Sequence, residues 1–254
     1  MGLPRPPWAA VPIGAVLAGA VVALGMWLKD LGRAGPEPSW ITAVQQGRSP
    51  ALDVAALVLR YGLSVPVGAA WLLLTGAVLW ATDRGPRRAL VVVSLVLPGW
   101  LATGVVKEVV ARPRPRDLAL FGQLSEVGPH SFPSAHVSLA TGLGCAVVLV
   151  FCWRHGTSVR ICGSAGCLVL ASAAGWSRVY LGVHHPGDVL GSILLTVATE
   201  LIWLPVLARW AEPAPGRGGG VGAQGRPGRA EGVPSGDPAM GGPPGPGPGP
   251  HRSR

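Results

Sequence analysis

The sequence predicts an all-α fold, a polytopic membrane bundle of about six transmembrane helices. Three observations predict it. Of 254 residues, 49% are hydrophobic and only 13% are charged, whereas soluble domains carry about 25% charged residues. The mean hydropathy is +0.42. The apolar residues gather in runs of about 20, the helical length that crosses a bilayer. The formal charge of +9 raises nucleic acid as a partner, and the pattern rejects it. The arginines sit at segment ends, and no basic face interleaved with aromatics occurs. Membrane topology and phosphate-bearing ligands account for the charge better.

The first span covers residues 8–28, behind Arg5. Ala18, Gly19 and Ala20 offer small residues for a signal-peptide cleavage site, but the apolar run continues past them, so an uncleaved helix is expected. Residues 29–53 read as a polar connection. Further spans fall at 57–81, 89–109, 136–153, 160–176 and 187–208. Pro98 should kink the third. Trp8 and Trp27 bracket the first span, and Trp80, Trp153, Trp176 and Trp210 lie near the ends of later ones. Such positions suit an apolar ring with a wet N–H. Trp71, Trp100 and Trp203 fall inside spans and read as packing residues. Cys145, Cys152, Cys162 and Cys167 lie in or beside apolar segments without CxxC spacing. They read as small apolar residues rather than disulfides or metal ligands. From Glu212 onward Gly and Pro dominate, which predicts a disordered cytoplasmic tail. Three regions follow: 1–56 with the first helix and an outer loop, 57–211 with the bundle that carries the polar motifs, and the tail at 212–254.

Orientation follows from arginines in short loops. Arg84, Arg87, Arg88, Arg154, Arg160 and Arg209 fall on the same side as Arg5. That side is expected to be the cytoplasm, with both termini on it. The 110–135 connection and the loop from Arg178 to Pro186 then face outward.

Three polar clusters interrupt the apolar pattern on that outer side. The first runs from Lys107 through Arg112, Arg114 and Arg116, stiffened by prolines. Lys107 alone would read as a snorkelling lysine, and the arginines as a solvated basic loop. A fixed arginine also presents a planar fork of donors that fits phosphate. The second is Ser131-Phe132-Pro133-Ser134-Ala135-His136. Its serines suit a helix cap, and a helix start is also an anion site, but a cap does not explain His136. The third is Ser177 to Gly191, with Arg178, His184, His185 and Asp188. Pro186 suits a helix start, so Asp188 would fall in the first turn, within reach of His184. Ionisable groups at membrane depth are expensive and mark function. Lys107, Arg114 and Arg178 converging without an anion would repel; a phosphate between them resolves this. Two histidines remain, and phosphoryl transfer needs one group to attack phosphorus and one to protonate the departing oxygen.

These three clusters resemble the Lys-x6-Arg-Pro, Pro-Ser-Gly-His and Ser-Arg-x5-His-x3-Asp motifs of the type 2 phosphatidic acid phosphatase family. That family shares its site with vanadium haloperoxidases. The match comprises Lys107, Arg114 and Pro115; Pro133, Ser134 and His136; and Ser177, Arg178, His184 and Asp188. It covers roughly residues 60–208. Ala135 stands where glycine is usual, and is harmless if that backbone is helical. The resemblance implies a metal-independent, cofactor-free membrane lipid phosphatase. His184 would be the nucleophile that becomes a phosphohistidine, oriented by Asp188. His136 would be the general acid, and Lys107, Arg114, Ser134 and Arg178 would bind phosphate. Expected substrates are phosphorylated lipids in the bilayer: polyprenyl diphosphate, phosphatidic acid or phosphatidylglycerol phosphate. The lipid and the oligomeric state are not specified by the motifs. Three rivals stand beside this reading. One is a lipid phosphotransferase using the same site, and another is a non-catalytic lipid-binding protein. The third is a metal site at His136, His184, His185 and Asp188, which the nearby cations oppose.

Overall fold

The structure, a computed structural model, describes residues 3–4, 6–83, 86–120 and 128–210. The tail expected from Glu212 lies outside the described residues. Among the described residues, eight α-helices run in order: α1 Ala10–Leu31, α2 Glu37–Gln46, α3 Pro50–Gly62, α4 Val65–Asp83, α5 Arg87–Val110, α6 Ala135–Val147, α7 Thr157–Tyr180 and α8 Pro186–Trp210. Short 3-10 turns occupy Gly32–Ala34 and Arg116–Leu118, and a π-helical turn at Val148–Cys152 prolongs α6. Six of these elements are long and apolar enough to cross a membrane: α1, α4, α5, α6 with its π turn, α7 and α8. The chain is a multi-pass membrane protein, and no strand occurs among the described residues.

The second span differs from the sequence reading. The run expected at 57–81 is two helices, broken at Leu63 and Ser64. Gly62 ends α3, and the Ser64 hydroxyl donates to the Tyr61 carbonyl at 2.8 Å, so the spanning helix starts at Val65. On α3, Ala56 and Leu57 pack against Tyr180 and Leu181 at the end of α7. There the Ser177 hydroxyl donates to the Ala56 carbonyl at 2.8 Å. The stretch read as a polar connection is largely helical, forming α2 and the start of α3. Ser49 caps α3, its hydroxyl accepting from the Leu52 N–H at 3.3 Å, as a good N-cap residue does. Tyr180 at the end of α7 donates to Asp53 at 2.6 Å, and Arg48 pairs with the same carboxylate at 3.1 Å. These two partners, Arg48 foremost, hold the Asp53 carboxyl below the usual carboxylate range. The Gln45 amide donates to the carbonyls of Leu118 and Tyr180, both at 2.9 Å. The outer helices are therefore tied to α7 by side chains.

Trp71 and Trp203 are exposed rather than packed; they sit on the outer surface of helices that lipid surrounds. The Trp71 N–H donates to the Gly62 carbonyl at 3.1 Å. Trp100 does pack against the core. α5 continues through Pro98 without a break. It ends at Ala111, a non-glycine residue at φ 50°, whose N–H returns to the Lys107 carbonyl at 3.0 Å. This is the left-handed helix stop that glycine usually supplies.

Lipid gives helices no hydrophobic reason to associate, so close packing at small residues and hydrogen bonds must do it. α1 and α8 meet at Gly14, where an added Cβ would lie 2.7 Å from the Ala198 carbonyl oxygen. Thr103 of α5 donates to Ser138 of α6 at 2.7 Å. Val21, Leu28, Val106, Val110 and Leu195 bury Phe132 between α1, α5 and α8. An added Cβ would fall 2.5 Å from the Phe132 ring at Gly25 and 2.4 Å at Gly191. Phe132 thus pins the chain entering α6 to the C-terminal end of α1 and the N-terminal end of α8. That places the start of α6, the start of α8 and the ends of α5 and α7 together.

Two substitutions test this packing in detergent. Ala111→Gly removes a left-handed penalty of about 1 kcal/mol and raises the melting temperature. Gly191→Val drives a side chain into Phe132 and lowers it.

Candidate active site

α8 opens with Pro186 at its first position, which fits the fixed φ of proline. Asp188 lies in its first turn and is fully buried. Its Oδ2 accepts the His185 backbone N–H at 2.8 Å and lies 3.3 Å from Nδ1 of His184. The other ring nitrogen of His184, Nε2, is 3.1 Å from Nη1 of Arg114. A guanidinium carries only donors, so Nε2 is the acceptor and the ring proton sits on Nδ1, facing Asp188. His184 therefore presents a lone pair at Nε2. The same Arg114 nitrogen donates to the Val183 carbonyl at 3.0 Å.

A cavity of about 280 Å³ opens at this point, lined by His184, Arg114, Lys107, His136 and Ala135 with Arg60, Tyr61 and Ser64 of the α3–α4 corner. Four of the expected residues, Lys107, Arg114, His136 and His184, share it. The other three are close by in the chain but do not line it. Arg178 is buried at the end of α7, and its carbonyl accepts the N–H groups of Val183 and His184 at 3.2 and 3.3 Å. Ser134 is buried with its hydroxyl unbonded. Its N–H donates to the Ser192 hydroxyl at 2.7 Å, joining the starts of α6 and α8. Lys107 also serves the scaffold, since its ammonium donates to the carbonyls of His130, Ser131 and Pro133 at 3.1, 3.4 and 2.8 Å. Ala135 is the first helical residue of α6 and has no positive φ, so alanine is unstrained there. The first turn of a helix leaves N–H groups without internal acceptors, and these can serve an anion.

A larger cavity of about 580 Å³ lies beside this one and shares Arg114; it is lined also by Lys29, Arg112 and His185. His184 does not line it. Burial lowers the pKa of His185, despite the nearby Asp188 carboxylate. His185 meets Asp188 through its backbone. Among the described residues, no three His, Cys, Asp or Glu side chains are grouped as a divalent ion would need.

The sequence reading missed three residues. Arg60 is buried and lines the small cavity. Arg112, read as part of a solvated loop, is 2% exposed. Its Nη1 donates to Asp188 Oδ1 at 2.7 Å and its Nη2 to Oε2 of Glu37, itself buried on α2. The guanidinium fork thus bridges two carboxylates, a geometry lysine cannot reproduce. A signal for Arg112 existed: an arginine flanked by Ala111 and Pro113 at the end of a membrane helix. Glu37 gave none, being 150 residues from the Gly187 N–H it also accepts. Arg112→Ala would leave two buried carboxylates facing each other. Breaking a buried pair costs about 3–5 kcal/mol, so thermal unfolding should show a large loss of stability, and Arg112→Lys should not restore it.

The sequence model of the PAP2 superfamily matches residues 88–211. The chain is similar to a putative undecaprenyl-diphosphatase, YbjG, of Escherichia coli (strain K12), with 34% identity over 84 residues. The match takes in 32% of this chain and spans 38% of the length of that relative. The fold is similar to the transmembrane PAP2 type phosphatidylglycerolphosphate phosphatase from Bacillus subtilis, with a TM-score of 0.60 and 24% identity over 76% of this chain and 94% of the other. It is similar also to LpxE of Aquifex aeolicus, with a TM-score of 0.51 and 20% identity over 67% of this chain and 95% of the other. The matched residues hold nearly all of α5, then α6 to α8 and the three polar clusters read from the sequence, but not Arg60 or Glu37. The likeness to the PAP2 superfamily is carried by residues 88–211, just under half of the chain.

Proposed function

We propose that this protein is a metal-independent membrane phosphatase acting on a phosphomonoester or diphosphate of a lipid. One observation carries the reading: Nε2 of His184 offers its lone pair to a cavity lined by Lys107 and Arg114, while Nδ1–H faces Asp188. Nε2 attacks phosphorus, the N–P bond forms, and the bond to the lipid oxygen breaks. His136 gives its proton to that oxygen. The imidazole becomes a phosphorylated imidazolium whose Nδ1–H is held by Asp188. Water then attacks phosphorus, His136 takes its proton, and inorganic phosphate leaves with His184 restored. Lys107 and Arg114 on the cavity wall, with the N–H groups opening α6, hold the charge on the phosphoryl oxygens; Arg178 and Ser134, buried off the cavity wall, are assigned the same role by their place in the motifs.

The name of the E. coli relative makes polyprenyl diphosphate the first substrate to try. Phosphatidic acid and phosphatidylglycerol phosphate come next. The site faces outward in this reading, with both termini in the cytoplasm. Arg87, Arg88, Arg160 and Arg209 gather at the opposite ends of the helices. Arg88 lies over Phe151, Arg160 over Trp153 and Arg209 over Trp8, as expected of cations and rings at a headgroup layer.

Phosphate release by purified protein in detergent from these three lipids tests the reading. Wild type should turn over at least one of them, unaffected by chelator, and form an acid-labile phosphoenzyme. His184→Ala should lose both. His136→Ala should lose about 10²- to 10⁴-fold on the lipid and far less on an aryl phosphate, whose leaving group needs no proton. No release from any of the three would end the proposal.

A further inference from the structure

Glu37 stands on α2, outside the family-matched segment, yet its carboxylate reaches Arg112 and the first turn of α8. It is 5% exposed. Oε2 receives Arg112, and Oε1 accepts the Gly187 N–H at 2.7 Å. Glycine makes that approach feasible, because a Cβ on Gly187 would fall 2.9 Å from Oε1 and 2.5 Å from Leu28. Gly187 follows the His184–His185–Pro186 turn. One carboxylate therefore touches both the arginine behind Asp188 and the backbone that carries His184.

We infer that Glu37 is a positioning residue of the phosphotransfer step: it neutralises Arg112, so that the negative charge of Asp188 remains available to the His184 imidazolium. The inference rests on the phosphohistidine reading above. The buried groups form a line of alternating sign, Glu37, Arg112, Asp188 and then His184. With His184 neutral the line carries a net charge of −1; with His184 an imidazolium it is neutral. Without Glu37 the line would be neutral at rest and cationic in the intermediate. At low dielectric an unbalanced charge is costly, so Glu37 favours the state in which His184 carries phosphate. An anchor that only docked α2 would need the shape of Glu37 but not its charge.

Glu37→Gln separates the two roles, since it keeps an acceptor for Gly187 and removes the charge. The comparison uses full-length wild type, Glu37→Gln and Glu37→Asp in the same detergent, with one lipid phosphate that wild type hydrolyses. In Glu37→Gln, kcat should fall about tenfold or more with KM within about twofold, the pattern of an interaction expressed in the transition state. The acid limb of the pH–rate profile should also move to lower pH. His184 must be neutral to attack, and loss of a nearby negative charge makes it less basic. The other charged or titratable groups around His184 are Arg60 and Tyr61 of α3, Lys107 of α5, Arg112 and Arg114 of the following segment, His136 of α6, Arg178 of α7, and His185 and Asp188 at α8. All of them are unchanged in these variants. Glu37→Asp keeps the charge one methylene short, so its kcat should lie between the other two and its acid limb should stay near wild type. Should Glu37→Gln not be recovered folded, a lowered kcat with an unmoved limb in Glu37→Asp supports the inference, and a wild-type kcat overturns it. A folded Glu37→Gln with wild-type kcat and limb also overturns it. So do equal losses in both variants with neither limb moved. A wild type that releases no phosphate from any lipid condemns the phosphatase reading instead.

Discussion

Asp188 can be buried because Arg112 is buried with it. A carboxylate taken out of water at the start of a membrane helix has to be matched by a cation and by hydrogen bonds. Arg112 meets it at 2.7 Å, the His185 N–H at 2.8 Å and His184 at 3.3 Å. Arg112 in turn is matched by Glu37. Three elements far apart in sequence supply this cluster: α2, the segment after α5, and the first turn of α8. None of the three charges is stable there alone, so the cluster fixes the relative placement of its elements as firmly as a core contact does.

The rest of this end of the bundle is arranged around that fixed point. Ser192 accepts the Ser134 N–H and so ties α6 to the helix that bears Asp188. Lys107 gathers the carbonyls of residues 130, 131 and 133, and Phe132 fills the space between α1 and α8. Each of these contacts satisfies a polar group or fills a gap that lipid could not. What remains is a small cavity with the Nε2 edge of His184, its lone pair facing Arg114, and the cations Lys107, Arg114 and Arg60 on its wall.

Much of this was legible in the sequence for a simple reason. A helix surrounded by lipid must be apolar along its length, so spans announce themselves, and polar motifs at their ends are conspicuous. The α3–α4 break was obscured because apolar residues run through both helices; only Gly62 and Ser64 mark it. Arg112 and Arg114 illustrate the harder limit. They stand two apart around Pro113, in a stretch the sequence treats as one basic loop. The backbone sends Arg114 to His184 and Arg112 to Asp188 and Glu37. Composition cannot tell these two fates apart, because they are decided by what lies opposite. Glu37 was invisible on the same ground: its partners are long-range, and a lone acid between two prolines carries no local signature.

The contact between Arg114 and Nε2 of His184 bears on the proposed reaction. The in-plane lone pair of that ring is engaged by a neighbouring guanidinium, which masks the imidazole toward stray electrophiles. On the proposed phosphatase reading, an oxyanion entering the cavity would compete for the same guanidinium and, in drawing it away, uncover the nitrogen. Reactivity would then be conferred by the arriving substrate itself: the residue that stoppers the ring would also be the one that recognises what should unstopper it.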